Sequence, residues 1–184
     1  NSSGFQNSIQ LPGTGGTFVF DPDGFGRPTG LRTGSTISVS NATYHPNGLV
    51  KTANYGNGLN YLQTLNTRRL PEDIVISGAS TPLDLVHTYD PRRKITSISN
   101  YAVSGENRSF TYDPKGRLLT ASGPWGSGSF EYDALDNIRT KTLGSRVVEV
   151  YYDTQNRVSR FRDTSEGNTW QAYFYDARGN IIDN

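Results

Sequence analysis

The chain has 184 residues, with 18 basic against 17 acidic side chains, 33% hydrophobic residues, and neither cysteine nor methionine. With no block of like charge, the sequence offers nothing for nucleic acid or an anionic membrane surface to hold. The missing cysteines exclude disulfides, thiolate metal sites and thiol nucleophiles, and apolar runs as short as Val147-Val148 exclude a transmembrane helix. Eleven tyrosines and eight phenylalanines among many Thr, Ser, Val and Ile suit a pleated, half-buried surface, so strands are expected.

Residues 1–18, with Gly13-Thr14-Gly15-Gly16, read as an irregular leading segment, and residues 19–184 as a repeat array. The first copy of the repeat is read around Phe20-Asp21-Pro22-Asp23-Gly24, with Asp23-Gly24-Phe25-Gly26-Arg27 as an equal reading. Weaker copies follow at Tyr44-His45-Pro46-Asn47-Gly48-Leu49-Val50 and Leu65-Asn66-Thr67-Arg68-Arg69-Leu70-Pro71. No window holds a capped helical period, and 59–74 is interrupted by Asn, Thr and Pro71. The phrase Tyr-Asp-x-x-Gly-(Arg/Asn)-(Leu/Ile/Val) then becomes clear. It appears at Tyr89-Asp90-Pro91-Arg92-Arg93-Lys94-Ile95, Tyr112-Asp113-Pro114-Lys115-Gly116-Arg117-Leu118 and Tyr132-Asp133-Ala134-Leu135-Asp136-Asn137-Ile138. Two further copies are Tyr152-Asp153-Thr154-Gln155-Asn156-Arg157-Val158 and Tyr175-Asp176-Ala177-Arg178-Gly179-Asn180-Ile181.

Each copy reads as one hairpin. Before the Tyr, side chains alternate as in a strand: Phe110 with Tyr112, Phe130 with Tyr132, Val148 and Val150 with Tyr152. The Asp accepts from backbone two residues on, and the fifth position needs φ > 0. Gly24, Gly48, Gly116, Asp136, Asn156 and Gly179 suit that position; Arg69 and Arg93 do not, which predicts a different turn type in those two units. Leu118, Ile138, Val158, Ile181 and Ile95 open the returning strand. About eight units predict roughly sixteen strands in an all-β array of antiparallel hairpins. The sheet is expected to be strongly curved and partly closed, with both faces semi-polar.

Repeated at this pitch, the motif resembles the Rhs/YD-repeat family, which includes bacterial polymorphic toxins, the cocoon-forming subunit of insecticidal Tc toxins, bacterial wall-associated proteins and animal teneurins. The resemblance covers residues 19–184. It implies a long, spiralling β-sheet that curls into a hollow shell, in toxins enclosing a C-terminal effector. The expected setting is therefore secreted or cell-surface, and the expected partners are the remaining segments of the same shell and a toxin polypeptide cargo. Eight hairpins are fewer than a complete shell uses, and neither a self-cleavage region nor an effector follows. The chain opens Asn1-Ser2-Ser3-Gly4 without Met and stops at Ile181-Ile182-Asp183-Asn184 as a strand should be forming. A fragment of a longer shell is expected, with end strands prone to self-association.

The motif residues Tyr89, Asp90, Tyr112, Asp113, Gly116, Tyr132, Asp133, Tyr152, Asp153, Tyr175, Asp176 and Gly179 are read as structural. Catalytic carboxylates must be made unlike by their surroundings, whereas Asp21, Asp90, Asp113, Asp133, Asp153 and Asp176 recur in equivalent turns. Their spacing matches no compact calcium loop, and His45 and His87 have no further ligands for a metal. His45, at an Asp position, is read as a turn residue, and His87 as packed on its strand or solvated. No cofactor is expected. Two other readings remain: a polysaccharide lyase using Tyr, His and Arg, and a carbohydrate-binding face carrying Tyr44, Tyr55, Tyr61, Tyr101, Trp125 and Trp170. Asn41-Ala42-Thr43 and Asn107-Arg108-Ser109 match the N-glycosylation pattern, which matters only in a eukaryotic secretory setting.

Overall fold

The structure, a computed structural model, describes residues 4–13 and 16–182. Thr14 and Gly15 of the leading segment, the opening Asn1-Ser2-Ser3, and Asp183-Asn184 of the last expected strand lie outside the described residues. The chain divides into two compact units, Asn1–Ser104 and Gly105–Asn184.

The first unit contains β1 (Ser8–Gln10), β2 (Thr17–Pro22), β3 (Pro28–Thr33), β4 (Thr36–Tyr44), β5 (Val50–Tyr55), β6 (Asn60–Leu65), β7 (Pro71–Ser77), β8 (Leu83–Tyr89) and β9 (Ile95–Asn100). Each pairs antiparallel with its successor. The second contains β10 (Arg108–Tyr112), β11 (Leu118–Gly123), β12 (Gly126–Tyr132), β13 (Ile138–Leu143), β14 (Arg146–Tyr152), β15 (Val158–Asp163) and β16 (Gln171–Ala172), again paired in order. A separate hairpin, β17 (Phe174–Tyr175) and β18 (Ile181–Ile182), follows. The fold is all-β, an array of antiparallel hairpins, and among the described residues the helical content is the 3-10 turn Thr164–Glu166. The leading segment differs from its irregular reading at Ser8–Gln10, which pairs with β2.

The hairpins form because the eight repeat turns solve one backbone problem in the same way. In the copy at Tyr112, the Asp113 N–H donates to the Arg117 carbonyl at 2.9 Å, and the Gly116 N–H donates to the Asp113 carbonyl at 2.8 Å. The same two bonds close the turns at Asp23, His45, Asn66, Asp90, Asp133, Asp153 and Asp176. This is the pattern of a three-residue hairpin loop whose last residue is left-handed and forms a bulge. That residue has positive φ at Gly48, Gly116, Asp136, Asn156 and Gly179.

Two expectations change here. Arg69 (φ 62°) and Arg93 (φ 68°) adopt the same left-handed conformation and the same hydrogen bonds, so their turns are not of another type. The sheet pairing and the Asn66 or Asp90 bonds hold arginine there against its own preference. In the first unit Gly26 (φ 80°), not Gly24, takes the left-handed place, so the repeat runs Asp23-Gly24-Phe25-Gly26-Arg27 and Asp21 lies outside the turn.

Two substitutions with opposite signs test this. A Cβ on Gly179 would meet nothing within 4 Å, so Gly179→Val isolates the strain of φ 86° and should destabilise by about 1–3 kcal/mol. Arg93→Gly should stabilise by about 0.5–1 kcal/mol, because it releases the same strain. Chemical denaturation of both variants reads the pair, and equal signs would remove the turn assignment.

A bulge also sits beside the turns that follow Tyr112, Tyr132 and Tyr152. Tyr112 pairs with Leu118 but Thr111 pairs with Thr120, leaving Leu119 unmatched; Arg139 and Ser159 are left out in the same way. Such a residue can aim its side chain away from the regular alternation.

The pairing registers separate the two faces of each unit. In the second, Phe110, Ala121, Gly128 and Leu143 align across strands, as do Val150 and Phe161. The opposite face aligns Thr111, Thr120, Ser129 and Thr142, with Thr111 and Thr120 hydroxyls 2.6 Å apart. In the first unit, Phe20, Leu31, Val39 and Tyr55 align on one face, and Ala53, Tyr61, Ile76 and Leu83 continue it. One face is thus apolar, rather than both being semi-polar. Yet among the described residues the apolar ones that become buried are Ala42, Ala53 and Ala121, and no large side chain is fully buried. Each unit is a single layer whose apolar face is only half covered.

Candidate functional site

The motif side chains form one network repeated along the turns. Its centre is the carboxylate. Asp133 Oδ1 accepts from the Leu135 and Asn137 N–H groups, both at 2.9 Å, and Asp153 Oδ1 accepts equally from Gln155 and Arg157. Asp176 Oδ1 accepts from Arg178 and Asn180, Asp113 Oδ1 from Arg117, Asp90 Oδ1 from Lys94, and Asp23 Oδ1 from Phe25 and Arg27. The second oxygen faces the planar side chain at the sixth position: Arg27 Nε at 2.8 Å, Arg117 Nε at 2.7 Å, Asn137 Nδ2 at 3.0 Å, Arg157 Nε at 2.8 Å and Asn180 Nδ2 at 2.9 Å. Arg and Asn suit that place because either presents a donor in the carboxylate plane.

The tyrosine connects one unit to the one before. Tyr132 OH donates to the Leu118 carbonyl at 2.8 Å, Tyr152 OH to Ile138 at 3.0 Å and Tyr175 OH to Val158 at 2.8 Å. Tyr89 OH reaches Pro71 and Tyr44 OH reaches Pro28, both at 2.5 Å. Tyr112 closes β10 opposite Leu118. The preceding unit's arginine lies over the same ring: Arg27 over Tyr44 at 4.5 Å, Arg117 over Tyr132 at 4.4 Å, Arg157 over Tyr175 at 4.3 Å. Reading the sequence assigned Tyr to the end of a strand and Asp to a turn. It missed that the Arg joins them, although a recurring Asp-x-x-x-Arg beside a recurring Tyr was the available signal.

These contacts depress the carboxyl pKa values. Side-chain hydrogen bonds from Arg27, Asn137 and Asn180 are the main cause at Asp23, Asp133 and Asp176, and the Arg157 backbone N–H at Asp153. At Asp113 partial desolvation pushes upward but is outweighed by the Arg117 N–H and guanidinium. Asp163, 4% exposed, is held far below the usual range first by Arg146, then by Ser165. A carboxyl that ionises more easily when folded contributes stability above its unfolded pKa, about 3.9 for Asp, and loses it as pH falls toward the folded value. Melting temperature should therefore stay level from about pH 7 to pH 5 and fall steadily below about pH 4. A level profile to about pH 2 would remove the carboxylate network as a source of stability.

The residues of the lyase reading do not converge. His45 Nε2 lies 2.9 Å from the Gln63 carbonyl, so its backbone keeps the turn while its ring leaves it. His87 Nδ1 is buried without a hydrogen-bond partner among the described residues. The six aromatics of the carbohydrate reading have different surroundings. Tyr44, Tyr55 and Tyr61 line an apolar trough of about 390 Å³ with Phe20, Leu31 and Val39. Tyr101 is 72% exposed, Trp125 lies near Arg108, and Trp170 meets Tyr151 edge-on at 5.2 Å. Among the described residues no group of acidic and histidine side chains is placed to hold a metal, and no helix is long and apolar enough to cross a membrane.

The same architecture occurs in known proteins. The family model of the teneurin YD-shell matches residues 31–184. No curated protein matches the chain in sequence. Among solved structures, the Photorhabdus luminescens Tc holotoxin pore is similar, with 18% identity and a TM-score of 0.58 over 91% of this chain and 9% of the matched one. TcdB2-TccC3 without its hypervariable C-terminal region gives 18% identity and a TM-score of 0.56, again over 91% of this chain and 9% of that one. The chain therefore spans about a tenth of the length of the structures it resembles. With the family model matching most of its length and the hairpin array, turn for turn, in place, this chain belongs to the teneurin YD-shell family, the YD-repeat group of Rhs proteins.

Proposed function

We propose that the chain is a wall segment of a secreted or cell-surface YD-repeat shell, which encloses a polypeptide rather than transforming a substrate. The half-covered apolar face carries this reading. A single-layer sheet exposing Phe, Val and Tyr on one side and Thr and Ser on the other is unfavourable in water alone. It is satisfied when the apolar side faces an enclosed chain and the hydroxyl side faces solvent. The motif residues Tyr89, Asp90, Tyr112, Asp113, Gly116, Tyr132, Asp133, Tyr152, Asp153, Tyr175, Asp176 and Gly179 then act as scaffold, locking turn to turn, and the neighbouring shell segments supply the missing cover.

This chain has no cysteine of its own, so a thiol introduced into it reports on a chosen face. Val147 and Val150 lie on opposite faces of β14, Val147 opposite Thr142 and Val150 opposite Phe161. In the full-length protein carrying this chain, a bulky thiol reagent should label Val147→Cys and spare Val150→Cys until the shell is opened. Equal labelling of the two in the intact protein, or a lumen without polypeptide, would overturn the proposal.

A further inference from the structure

On the hydroxyl-rich face of the second unit, cations and rings alternate across three strands. Arg139, the bulge residue of β13, lies over the Tyr151 ring at 4.0 Å. Arg160 lies over Tyr151 at 4.5 Å and over Trp170 at 4.7 Å, and Arg162 over Trp170 at 4.9 Å. Tyr151 and Trp170 themselves meet edge to face at 72°. None of these residues belongs to the Tyr-Asp-x-x-Gly-Arg network.

The charge on this patch is unbalanced. Arg162 pairs with Glu149. Arg139 feels the Asp133 charge, but among the described residues no carboxylate hydrogen-bonds to Arg139 or Arg160. A guanidinium held over a ring keeps N–H groups to offer, and its planar fork can meet a carboxylate in two places. Glu149, with one oxygen on Arg162 Nε, shows the patch already holding one carboxylate. The rings immobilise the cations, so little side-chain freedom is lost on binding. Arg160 and Trp170 are exposed, Trp170 at 40%.

The surrounding backbone favours an extended ligand. Arg160 pairs with Ala172 of β16, the last strand of this sheet, which pairs on one side with β15. A strand laid beside it would place alternate side chains on the Arg-bearing face.

We propose that Arg139, Tyr151, Arg160, Arg162 and Trp170 form a docking site for an extended acidic polypeptide segment, its alternate Asp or Glu carboxylates taking the open guanidinium edges. This stands apart from the enclosure reading, because it uses the opposite face and survives if no lumen exists.

The full chain should bind a short alternating Glu-Thr peptide, and bind the Gln-Thr peptide of equal length about tenfold or more weakly, since bonds to charged groups dominate. Arg160→Gln should weaken the acidic peptide by about tenfold, and Arg160→Lys should not restore it, because the ammonium lacks the planar fork. Glu149→Gln should strengthen binding by freeing Arg162. Titration by calorimetry, with melting temperatures showing that each variant remains folded, reads all four. Binding insensitive to Arg160→Gln, equal affinity for the Gln-Thr peptide, or preference for a sulfated oligosaccharide over the acidic peptide would overturn the proposal.

Discussion

Gly56→Ala is expected to destabilise the chain by about 3 kcal/mol, more than the same substitution at a turn glycine whose Cβ would meet open space. Gly56 follows β5, where its N–H donates to the Ser38 carbonyl at 3.0 Å. A Cβ built there would stand 1.9 Å from the Ile37 carbonyl oxygen and 3.1 Å from its carbon. Both atoms are backbone, so no side-chain rotation relieves the clash. Either β4 moves away, breaking the Val39 to Tyr55 pairing, or the turn into β6 is rebuilt. Gly58, two residues on, is the control: its φ is 84° and a Cβ would meet nothing within 4 Å. Gly58→Ala should cost only about 1 kcal/mol from the left-handed backbone. Urea denaturation of the two variants decides the matter, and equal losses would mean that the close approach of β4 is not as described.

Tyr132→Ala is expected to cost about 3 kcal/mol, whereas Tyr132→Phe should cost about 1 kcal/mol. The phenol contributes the 2.8 Å bond to Leu118, and the ring contributes packing between two units and the surface on which Arg117 lies. Removing the hydroxyl alone forfeits one hydrogen bond. Removing the ring uncouples adjacent hairpins, because Arg117 also holds Asp113 at 2.7 Å and reaches Asp136 at 2.5 Å. Tyr132→Ala and Arg117→Ala should consequently be non-additive in a double-mutant cycle. Additive losses would show that the Arg over the Tyr is an incidental neighbour. Stability in a repeat array passes from unit to unit in this way, so the damage should spread to both flanking hairpins in hydrogen exchange.

Much of this architecture was legible because the repeat is built from local rules. Asp or Asn before a left-handed Gly, with alternating Phe and Val on the strand before it, names a hairpin without reference to any other part of the chain. Where the residue type contradicts the rule, the reading failed. Arg69 and Arg93 predicted different turns, yet the pairing of β6 with β7 and of β8 with β9 imposes the common one. At Phe20 to Arg27 two registers satisfied the same rule, and the positive φ of Gly26 together with the Asp23 bonds to Phe25 and Arg27 separates them.

The sequence by itself determined that the chain is a β-hairpin repeat, where most turns fall, and that its recurring aspartates share one local task, since each of these follows from bonds within a few residues. Only the tertiary structure decided what lies between units. It sent Tyr hydroxyls to the preceding unit, placed arginines on rings, set Gly56 against Ile37, and collected Arg139, Arg160, Arg162, Tyr151 and Trp170 on one face. The physical reason is that these contacts join strands whose register is set by pairing and bulges. A shift of one residue would turn each of those side chains to the other side of the sheet.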